Sequence, residues 1–367
     1  MNKFFILAAT LMLSAPNAFA SKARLISLGQ DPNGSSYIDD TRSVFLNPAY
    51  INTVGDFADF EFGSADGTTT SPKSEGGFFH KWDGYHVGLQ LGRQTDFSDA
   101  VAEANNVGGN AFVNPQNTIE LQLGSGDSYK WGASLLYGMT ENRTNAGLEK
   151  KASAYEFRGG LMHNSWDVYA ALDVLGSAEI NTGGGASNKL TENPSFKLGG
   201  AFELTNEEKL FLESRFLNYK TNNGTPDSAQ SVSSVNFGYA HFLSPEAVTH
   251  FFYTVSLSWS NDTAQNTKMV AIPLVVGLET AATDWLKLRA SVTQNVIIDQ
   301  KVTSTTNTNN PNSTVVAGGV GINWKKITID GTLAGSTGGS AYANTGTSSG
   351  NINATELLAN ASMTYMF

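Results

Sequence analysis

The chain has 367 residues, of which 15% are charged and 40% are hydrophobic, and its formal net charge is −10. Soluble domains usually carry charge on about a quarter of their residues, so this fraction is unusually low. The acidic balance excludes an ordinary nucleic-acid partner, because phosphate binding requires clustered Lys and Arg. The absence of Cys excludes disulfides, thiolate metal sites and a Cys nucleophile.

The first twenty residues have the three parts of a secretory signal peptide. Lys3 supplies the positive start, residues 4–13 form a short apolar stretch, and Ala18-Phe19-Ala20 matches the A-x-A cleavage pattern. We therefore expect cleavage between Ala20 and Ser21. No later stretch has the roughly 18 consecutive apolar residues of a membrane helix. The mature protein is expected to leave the cytoplasm without a helical anchor.

The rest of the sequence alternates between apolar and polar residues with a period of two. In residues 154–163, for example, Tyr155 and Phe157 alternate with Glu156 and Arg158. Successive side chains of a strand point to opposite faces, so each such segment has one apolar face and one polar face. A soluble sandwich produces the same alternation, so the number of strands and the lengths of their connections must decide between the two.

The pattern predicts an all-β fold, a transmembrane antiparallel up-and-down β-barrel over residues 56–367 with about sixteen strands. The connections alternate between short and long, and most strands reach the roughly 9–11 residues that cross a bilayer. Such a sheet must close, because backbone in lipid has to satisfy its own hydrogen bonds. The alternative is fourteen strands, if the two shortest are lost, and Pro273 is expected to bend or bulge its strand. The predicted strands are 57–63, 76–82, 85–93, 117–124, 129–140, 152–163, 166–175, 194–203, 208–220, 232–242, 249–260, 268–280, 285–298, 313–324, 327–336 and 355–367.

Aromatic residues support this interpretation. Five of the six tryptophans lie beside predicted short turns, as in an inner aromatic girdle at the membrane surface. At the other end of the chain, alternating hydrophobic residues continue through Tyr365 to the terminal Phe367. This ending resembles the assembly signal of Gram-negative outer-membrane barrels, which implies outer-membrane lipids, lipopolysaccharide and the barrel assembly machinery as partners.

Residues 21–55 precede the first strand and are too long for a simple tail. They include Asp39-Asp40 and then Val44-Phe45-Leu46-Asn47-Pro48-Ala49-Tyr50. This series resembles the N-terminal region of the FadL-type outer-membrane transporters and their PorV-like relatives. The resemblance implies a hatch, or plug, folded inside the barrel. The alternative is a segment that caps the periplasmic rim without gating anything. The hatch residues that the resemblance implies are Asp39, Asp40, Asn47, Pro48 and Ala49.

The alternation also predicts which charged side chains line the pore. Mixed charges in a lumen either tune ion selectivity or neutralise one another. Two of the predicted pairs, Glu156/Arg158 and Glu213/Arg215, combine opposite charges, whereas Lys287/Arg289 is a purely basic patch. The predicted pore-lining residues are Glu120, Lys130, Glu156, Arg158, Asp173, Glu213, Arg215, Lys287, Arg289 and Asp330.

The long connection at residues 94–116 contains a helical pattern, with Ala100, Val101 and Ala104 on one face. Its acidic residues are Asp96, Asp99 and Glu103. Folded inward, it would be a constriction loop that narrows the pore and favours cations. Folded outward, it would be a solvated surface helix, which is the commoner arrangement.

The sequence predicts no enzyme. The G-x-S-x-G match at residues 346–350 lies in a low-complexity loop, and His80 and His86 lack metal partners at ligand spacing. No catalytic residue, cofactor or metal is predicted. We expect an outer-membrane, porin-like channel for passive transport of small solutes. The first alternative is a FadL-like transporter of hydrophobic small molecules gated by the hatch. The second is a non-conducting surface receptor, adhesin or structural barrel. The oligomeric state, including a homo-oligomer, stays open.

Overall fold

The computed structural model describes residues 21–62, 74–108, 112–143, 148–181, 187–222, 228–246, 248–302, 313–336 and 358–367. The predicted signal peptide and the G-x-S-x-G match lie outside the described residues. Within them the structure is almost entirely antiparallel strand. The strands are β1 (Phe57–Phe62), β2 (Ser74–Trp82), β3 (Tyr85–Leu91), β4 (Asn117–Ser125), β5 (Lys130–Arg143), β6 (Glu149–His163), β7 (Trp166–Asn181), β8 (Ser187–Glu192), β9 (Ser195–Thr205), β10 (Glu208–Asn222), β11 (Ser228–Glu246), β12 (Thr249–Asp262), β13 (Thr267–Ala281), β14 (Leu286–Val302), β15 (Ser313–Trp324), β16 (Ile327–Ser336) and β17 (Leu358–Met366).

The sheet closes on itself, because β1 pairs with β2 on one side and with β17 on the other. Strands β8 and β9 both lie between β7 and β10, so the seventeen strands occupy sixteen positions around the barrel. The sixteen-strand prediction is confirmed. The alternative of fourteen is wrong, because both short strands at the start of the barrel pair along their length.

The turns at one rim are tight. Asp83 and Gly84 connect β2 to β3, and both have positive φ values, 46° and 84°, which a two-residue hairpin of this kind requires. The interruption expected at Pro273 is present. The β12–β13 ladder pairs Val255 with Leu274 and Ser258 with Ala271, and skips the residues between them. Proline has no N–H to donate at that point.

The outer face of the barrel carries the large exposed hydrophobic side chains. Trp82 and Trp324 are 69% and 65% exposed, beside the short turns where the sequence predicted a girdle. Tyr365 and Phe367 of the predicted assembly signal are also exposed. In water such a surface would be unfavourable, whereas in a bilayer it faces lipid. Among the described residues, no helix is long and apolar enough to cross a membrane.

The N-terminal segment folds as three short helical pieces with polar caps. Helix α1 (Lys22–Ser27) is capped by Ser21, and 3₁₀-helices follow at Thr41–Phe45 and Pro48–Asn52. The side chains of Asp40 and Asn47 accept hydrogen bonds from N-terminal backbone N–H groups of these two 3₁₀-helices. Pro48 occupies the first position of the second 3₁₀-helix. The sequence therefore specifies each start with a capping residue.

A second helix, α2 (Phe97–Gly108), lies in the connection between β3 and β4. Phe97, Ala100, Val101 and Ala104 of α2 are almost fully buried. They pack against inward-facing apolar side chains of the wall, including Ile180. The helix therefore folds into the long-loop end of the barrel, not outward into solvent as the commoner arrangement would have it. The physical reason is an apolar patch inside the wall that matches the apolar face of the helix.

Candidate functional site

The lumen holds the candidate site, and its first component is a network around Arg24 of α1. The Arg24 Nη1 lies 2.6 Å from Asp40 Oδ2, and its Nε lies 2.9 Å from Glu279 Oε2 of β13. Glu279 also accepts from Arg289 Nε at 2.5 Å, and Arg289 Nη1 lies 2.6 Å from Asp330. The network therefore ties α1 to β13, β14 and β16.

A second network forms around Arg42, which is only 2% exposed. Its Nη1 lies 2.5 Å from Glu75 Oε1 of β2 and 3.5 Å from Glu61 Oε1 of β1. The Lys22 Nζ lies 2.8 Å from the other oxygen of Glu75, and the backbone N of Lys22 donates to Glu61 at 2.9 Å. A buried charge is tolerated only when it is paired, so these contacts fix the segment against β1 and β2 of the wall.

The surroundings of Arg24 also determine the protonation of its partner. Burial raises the pKa of Asp40, and the nearby Arg24 guanidinium offsets only part of this increase. Burial alone would lower the pKa of Arg24, but Glu279 and Asp40 outweigh it and raise that pKa. Arg24 therefore keeps its charge inside the barrel. Asp39, next in sequence, is exposed and lies 3.0 Å from Lys209 Nζ of β10.

The Asn-Pro-Ala motif makes the third attachment. Asn47 Oδ1 accepts from the backbone N of Ala49, and Asn47 Nδ2 donates to Asp167 Oδ1 of β7 at 3.0 Å. The Tyr50 hydroxyl donates to the other oxygen of Asp167 at 3.3 Å. Tyr50 thus adds a hydrogen bond to the same carboxylate that the motif holds.

Two glycines of the wall make room for this motif. A Cβ on Gly132 of β5 would overlap the carbonyl oxygen of Pro48, and a Cβ on Gly160 of β6 would overlap Asn47 Oδ1. Neither glycine is among the site residues predicted from the sequence. Gly160 occupies an inward position of a strand whose other inward residues are larger, whereas Gly132 carries no such signal, since β5 has a second inward glycine at Gly138.

The acidic residues of the loop at 94–116 do not face an open pore. Asp96 Oδ1 lies 2.6 Å from Lys197 Nζ of β9, and Asp99 Oδ2 lies 2.5 Å from Arg215 Nη2 of β10. Burial would raise the pKa of Asp96, but Lys197 and the neighbouring arginines outweigh it, so that pKa is lowered. Glu103 accepts from Gln265 on the connection between β12 and β13. The expected cation preference of this loop is therefore offset by its basic partners.

The predicted lumen charges do point inward, but several pair differently from the expectation. Glu156 and Arg158 pair with each other, and Arg158 also lies 3.5 Å from Glu120, whose main partner is Arg93 at 2.5 Å. Glu213 accepts from Ser36 of the N-terminal segment instead of pairing with Arg215.

The predicted basic patch at Lys287 and Arg289 is wrong as a purely basic surface. Arg289 is paired with Glu279 and Asp330, because the neighbouring strands supply carboxylates across the ladder. Lys287 and Lys130 are partly buried nearer the short-turn rim. Five residues of these networks are absent from the sequence-based prediction: Arg24, Arg42, Arg93, Glu75 and Glu279. Glu279 could have been found, since it shares the inward face of β13 with Val275 and Gly277.

Two cavities with charged linings lie beside the N-terminal segment. The first, of about 430 Å³, lies between the N-terminal segment and the short turns. The second, of about 310 Å³, lies between the N-terminal segment and α2. The acidic and basic residues of the first are Asp39, Asp40, Asp167, Glu203 and Lys209, and His163 also lines it. The charged residues of the second are Asp31, Asp96, Asp99, Lys197, Glu213 and Arg215.

No protein-family profile and no curated protein sequence matches the chain. Solved structures do show likeness. A Pseudomonas aeruginosa FadL homologue is 12% identical with a TM-score of 0.49, and the alignment covers 95% of this chain and 98% of that one. The Pseudomonas putida toluene transporter TodX is 11% identical with a TM-score of 0.42, over 94% and 97% of the two chains. CdiB from Acinetobacter baumannii is 8% identical with a TM-score of 0.45, over 84% and 59%.

With TM-scores below 0.5 and identities of 12% or less, these likenesses carry no argument about substrate or mechanism. The fold rests on the pairing of the strands, on the exposed hydrophobic outer face and on the buried charges of the lumen. These features identify the chain as a closed antiparallel β-barrel of the outer-membrane type, with its N-terminal segment folded into the lumen.

Proposed function

We propose that the protein is a FadL-like outer-membrane transporter, in which small molecules cross the barrel through a lumen that residues 21–55 close at rest. The observation that carries this proposal is the attachment of the segment by two buried arginines, Arg24 and Arg42, to carboxylates on different strands of the wall. An open porin has no need for a segment held in its lumen by buried ion pairs, which are costly to break individually.

The segment packs against the wall through apolar side chains such as Phe45 and Ile51, and it is also held by discrete polar contacts, which suit a gate. Hydrogen bonds and ion pairs can be exchanged for contacts with water or solute when the segment moves. A closed and an open state that differ in these contacts form a two-state element on which a solute can act. The proposed function is therefore transport, with solute binding favouring the open state, and it assigns no catalytic role to the barrel.

The lining of the two cavities favours small polar solutes, because both carry several carboxylates and at least one cation. A second candidate class, small hydrophobic molecules, is favoured by one observation. Leu28 and Tyr37 of the N-terminal segment pack against Phe211 and Phe252 of the wall, with the Tyr37 and Phe211 ring centroids 4.9 Å apart. Movement of the segment would expose this aromatic patch to an apolar solute.

The test is conductance in a planar bilayer, measured for the intact mature protein and for a variant that lacks residues 21–55. We expect the intact barrel to be silent or to open briefly, and the deletion variant to conduct in stable steps. Conductance that is large and stable in both forms would overturn the gate and leave an open channel. Silence in both, with a folded barrel shown by heat-modifiable migration, would overturn transport.

The deletion removes structure as well as a gate, so a full-length variant is needed beside it. The double variant Arg24→Met, Arg42→Met keeps the chain length and removes both buried cations of the segment. It is expected to open more often than the intact protein, with the step size of the deletion variant. Solute class is then read by adding small amino acids and small aromatic hydrocarbons separately and comparing which of them changes the open probability.

A further inference from the structure

The base of α2 contains a cluster of buried and half-buried charges that is not balanced by protein groups. Four ion pairs account for all its cations: Arg93 with Glu120, Arg158 with Glu156, Lys197 with Asp96, and Arg215 with Asp99.

Two further carboxylates, Asp173 of β7 and Glu192 of β8, share this site. Each is 5% exposed, and the described residues place no cation within ion-pair distance of either. Six carboxylates and four cations leave a net charge of −2, and the two unpaired carboxylates are among the buried members of the cluster.

Hydrogen-bond donors to these two carboxylates are few. Asp173 Oδ1 is buried with no hydrogen-bond partner among the described residues, and Glu192 has a side-chain hydrogen-bond contact with Ser195. Glu192 lies against Gly176 of β7 and the ring of Phe97, next to Asp96 in sequence. An unpaired buried carboxylate is among the most costly arrangements in a protein, so a ligand that supplies positive charge is expected.

The oxygen atoms of three of these residues converge. One carboxylate oxygen from each of Asp96, Glu156 and Asp173 lies within 4.8 Å of the others. Asp96 Oδ2 and Asp173 Oδ1 are unpartnered, whereas the other oxygen of Asp96 takes the Lys197 ammonium. A Ca²⁺ ion holds oxygen ligands at about 2.3–2.6 Å, so two ligands on opposite sides of the ion are about 4.8 Å apart. The separation of the three carboxylates fits this geometry.

We propose that Asp96, Glu156 and Asp173 bind one hard divalent cation, of the Ca²⁺ class, with Glu192 balancing its charge from the adjacent strand. The ion removes the net charge of −2 without adding a protein group. It joins the start of α2, through Asp96, to β6 and β7 of the wall. This site concerns the anchoring of α2 and does not depend on whether residues 21–55 act as a gate.

The experiment measures cation binding directly, on mature protein refolded into detergent from inclusion bodies so that lipopolysaccharide contributes no sites. The protein is treated with a chelator, dialysed, and titrated with CaCl₂ and separately with MgCl₂ by calorimetry. We expect one Ca²⁺ per barrel with a dissociation constant on the order of 10⁻⁴ M, the range of extracellular calcium modules. Terbium luminescence, excited through nearby aromatic rings, gives an independent readout of the same site.

The isosteric variant Asp173→Asn removes a ligand charge and keeps the volume. It is expected to weaken Ca²⁺ binding at least about tenfold. The matched control is Glu141→Gln, an acidic residue on the exposed end of β5 that pairs with Arg143 away from the cluster. It should bind Ca²⁺ as the unmodified protein does.

Two outcomes overturn the proposal. One is a folded barrel that takes up no Ca²⁺ or Tb³⁺ up to concentrations on the order of 10⁻³ M, the weak end of known protein sites. The other is Ca²⁺ uptake that is the same in Asp173→Asn as in Glu141→Gln. In the first case the excess charge is removed by protons on two carboxyls, and Asp173→Asn would then stabilise the barrel against heat in the presence of chelator.

Discussion

The arginines of this barrel differ sharply in how deeply they are buried and in the ion pairs they form. Arg42 is buried and pairs with Glu75 and Glu61, whereas Arg143 is exposed and pairs with Glu141 and Glu149 on the rim. Replacing Arg42 with Met would leave two buried carboxylates with Lys22 alone, at a cost of about 3–5 kcal/mol. We expect Arg42→Met to detach the N-terminal segment, measured as faster tryptic cleavage after Lys22 and Arg24 in the folded barrel.

Arg143→Met is the matched control, because its ion pairs are exposed to water and contribute little. It should leave cleavage of the N-terminal segment unchanged. Equal protection of the segment in the Arg42 variant and the Arg143 variant would mean that the buried network does not hold the segment in place.

Two adjacent glycines of β6 offer a test with a single methyl group. Gly160 points inward, where a Cβ would overlap Asn47 Oδ1, whereas Gly159 points outward, with Phe157 Cε1 the nearest side-chain atom at 4.0 Å. Gly160→Ala must displace Asn47 and weaken its hydrogen bond to Asp167, at a cost of about 1–3 kcal/mol. We expect a roughly 5- to 150-fold increase in the ratio of open to closed time in bilayer recordings.

The Gly159→Ala variant should behave as the unmodified barrel does in the same recordings, because its new methyl group faces lipid and does not contact the N-terminal segment. If both alanine variants open equally often, the close approach of Asn47 to the wall has no bearing on closure.

The sequence alone predicts which side chains point into the lumen, but it does not predict which groups they pair with. Alternation is a property of one strand, so Glu156, Glu213 and Arg289 are placed inward without further information. Partners depend on elements distant in the chain. Arg215 pairs with Asp99 of α2 and not with Glu213 two residues away, and Glu213 meets Ser36 of the N-terminal segment. Neither pairing has a local signature.

The apolar face of α2 holds this helix against the inside of the wall at the long-loop end of the barrel. Ala104 is buried against the wall, whereas Ala102 on the same helix is exposed. Ala104→Glu would place an unpaired charge in the apolar cluster and should displace the helix, whereas Ala102→Glu should not. The chain has no Cys, so Ala152→Cys, a wall position covered by α2, reports access through its rate of maleimide labelling.

We expect labelling at position 152 to accelerate roughly tenfold or more with Ala104→Glu, because opening of the helix becomes favourable. With Ala102→Glu the rate should match that of Ala152→Cys alone. Slow labelling in both backgrounds would show that the helix stays in place despite the buried charge, or that it does not control access.

The strands of this barrel could be predicted more fully than its helices. A period of two and the order of short and long connections are local features that a single sequence displays, so the strands could be predicted from the sequence. The helical pattern of α2 was also visible. The side to which α2 folds, into the barrel or out into solvent, could not be predicted, because an amphipathic helix fits a solvent-facing loop or an apolar wall equally well. The wall residues that decide, such as Ile180 and Leu217, lie far along the chain.

In the molecule as a whole, the closed sheet separates a hydrophobic outer face from a polar lumen. Outward positions carry hydrophobic side chains such as Leu121 and Phe237, and inward positions carry charges, many of which pair within the protein, whereas Asp173 and Glu192 do not. Closure between β1 and β17 brings the two ends of the barrel sequence together, so the last strand completes the sheet. This architecture explains how so few charged residues, 15% of the chain, suffice for a protein of this size. Its water-facing surface is limited to the rims and the lumen.

The cavity between the N-terminal segment and α2 has a consequence for what can travel through the barrel. It lies between the N-terminal segment on one side and α2 on the other, and its volume of about 310 Å³ holds on the order of ten water molecules. If the protein transports solutes as proposed, a solute would enter this compartment past one of the two elements while the other stays in place, so the barrier across the membrane would be kept. The compartment, and not the width of the barrel, would then limit the size of the solute.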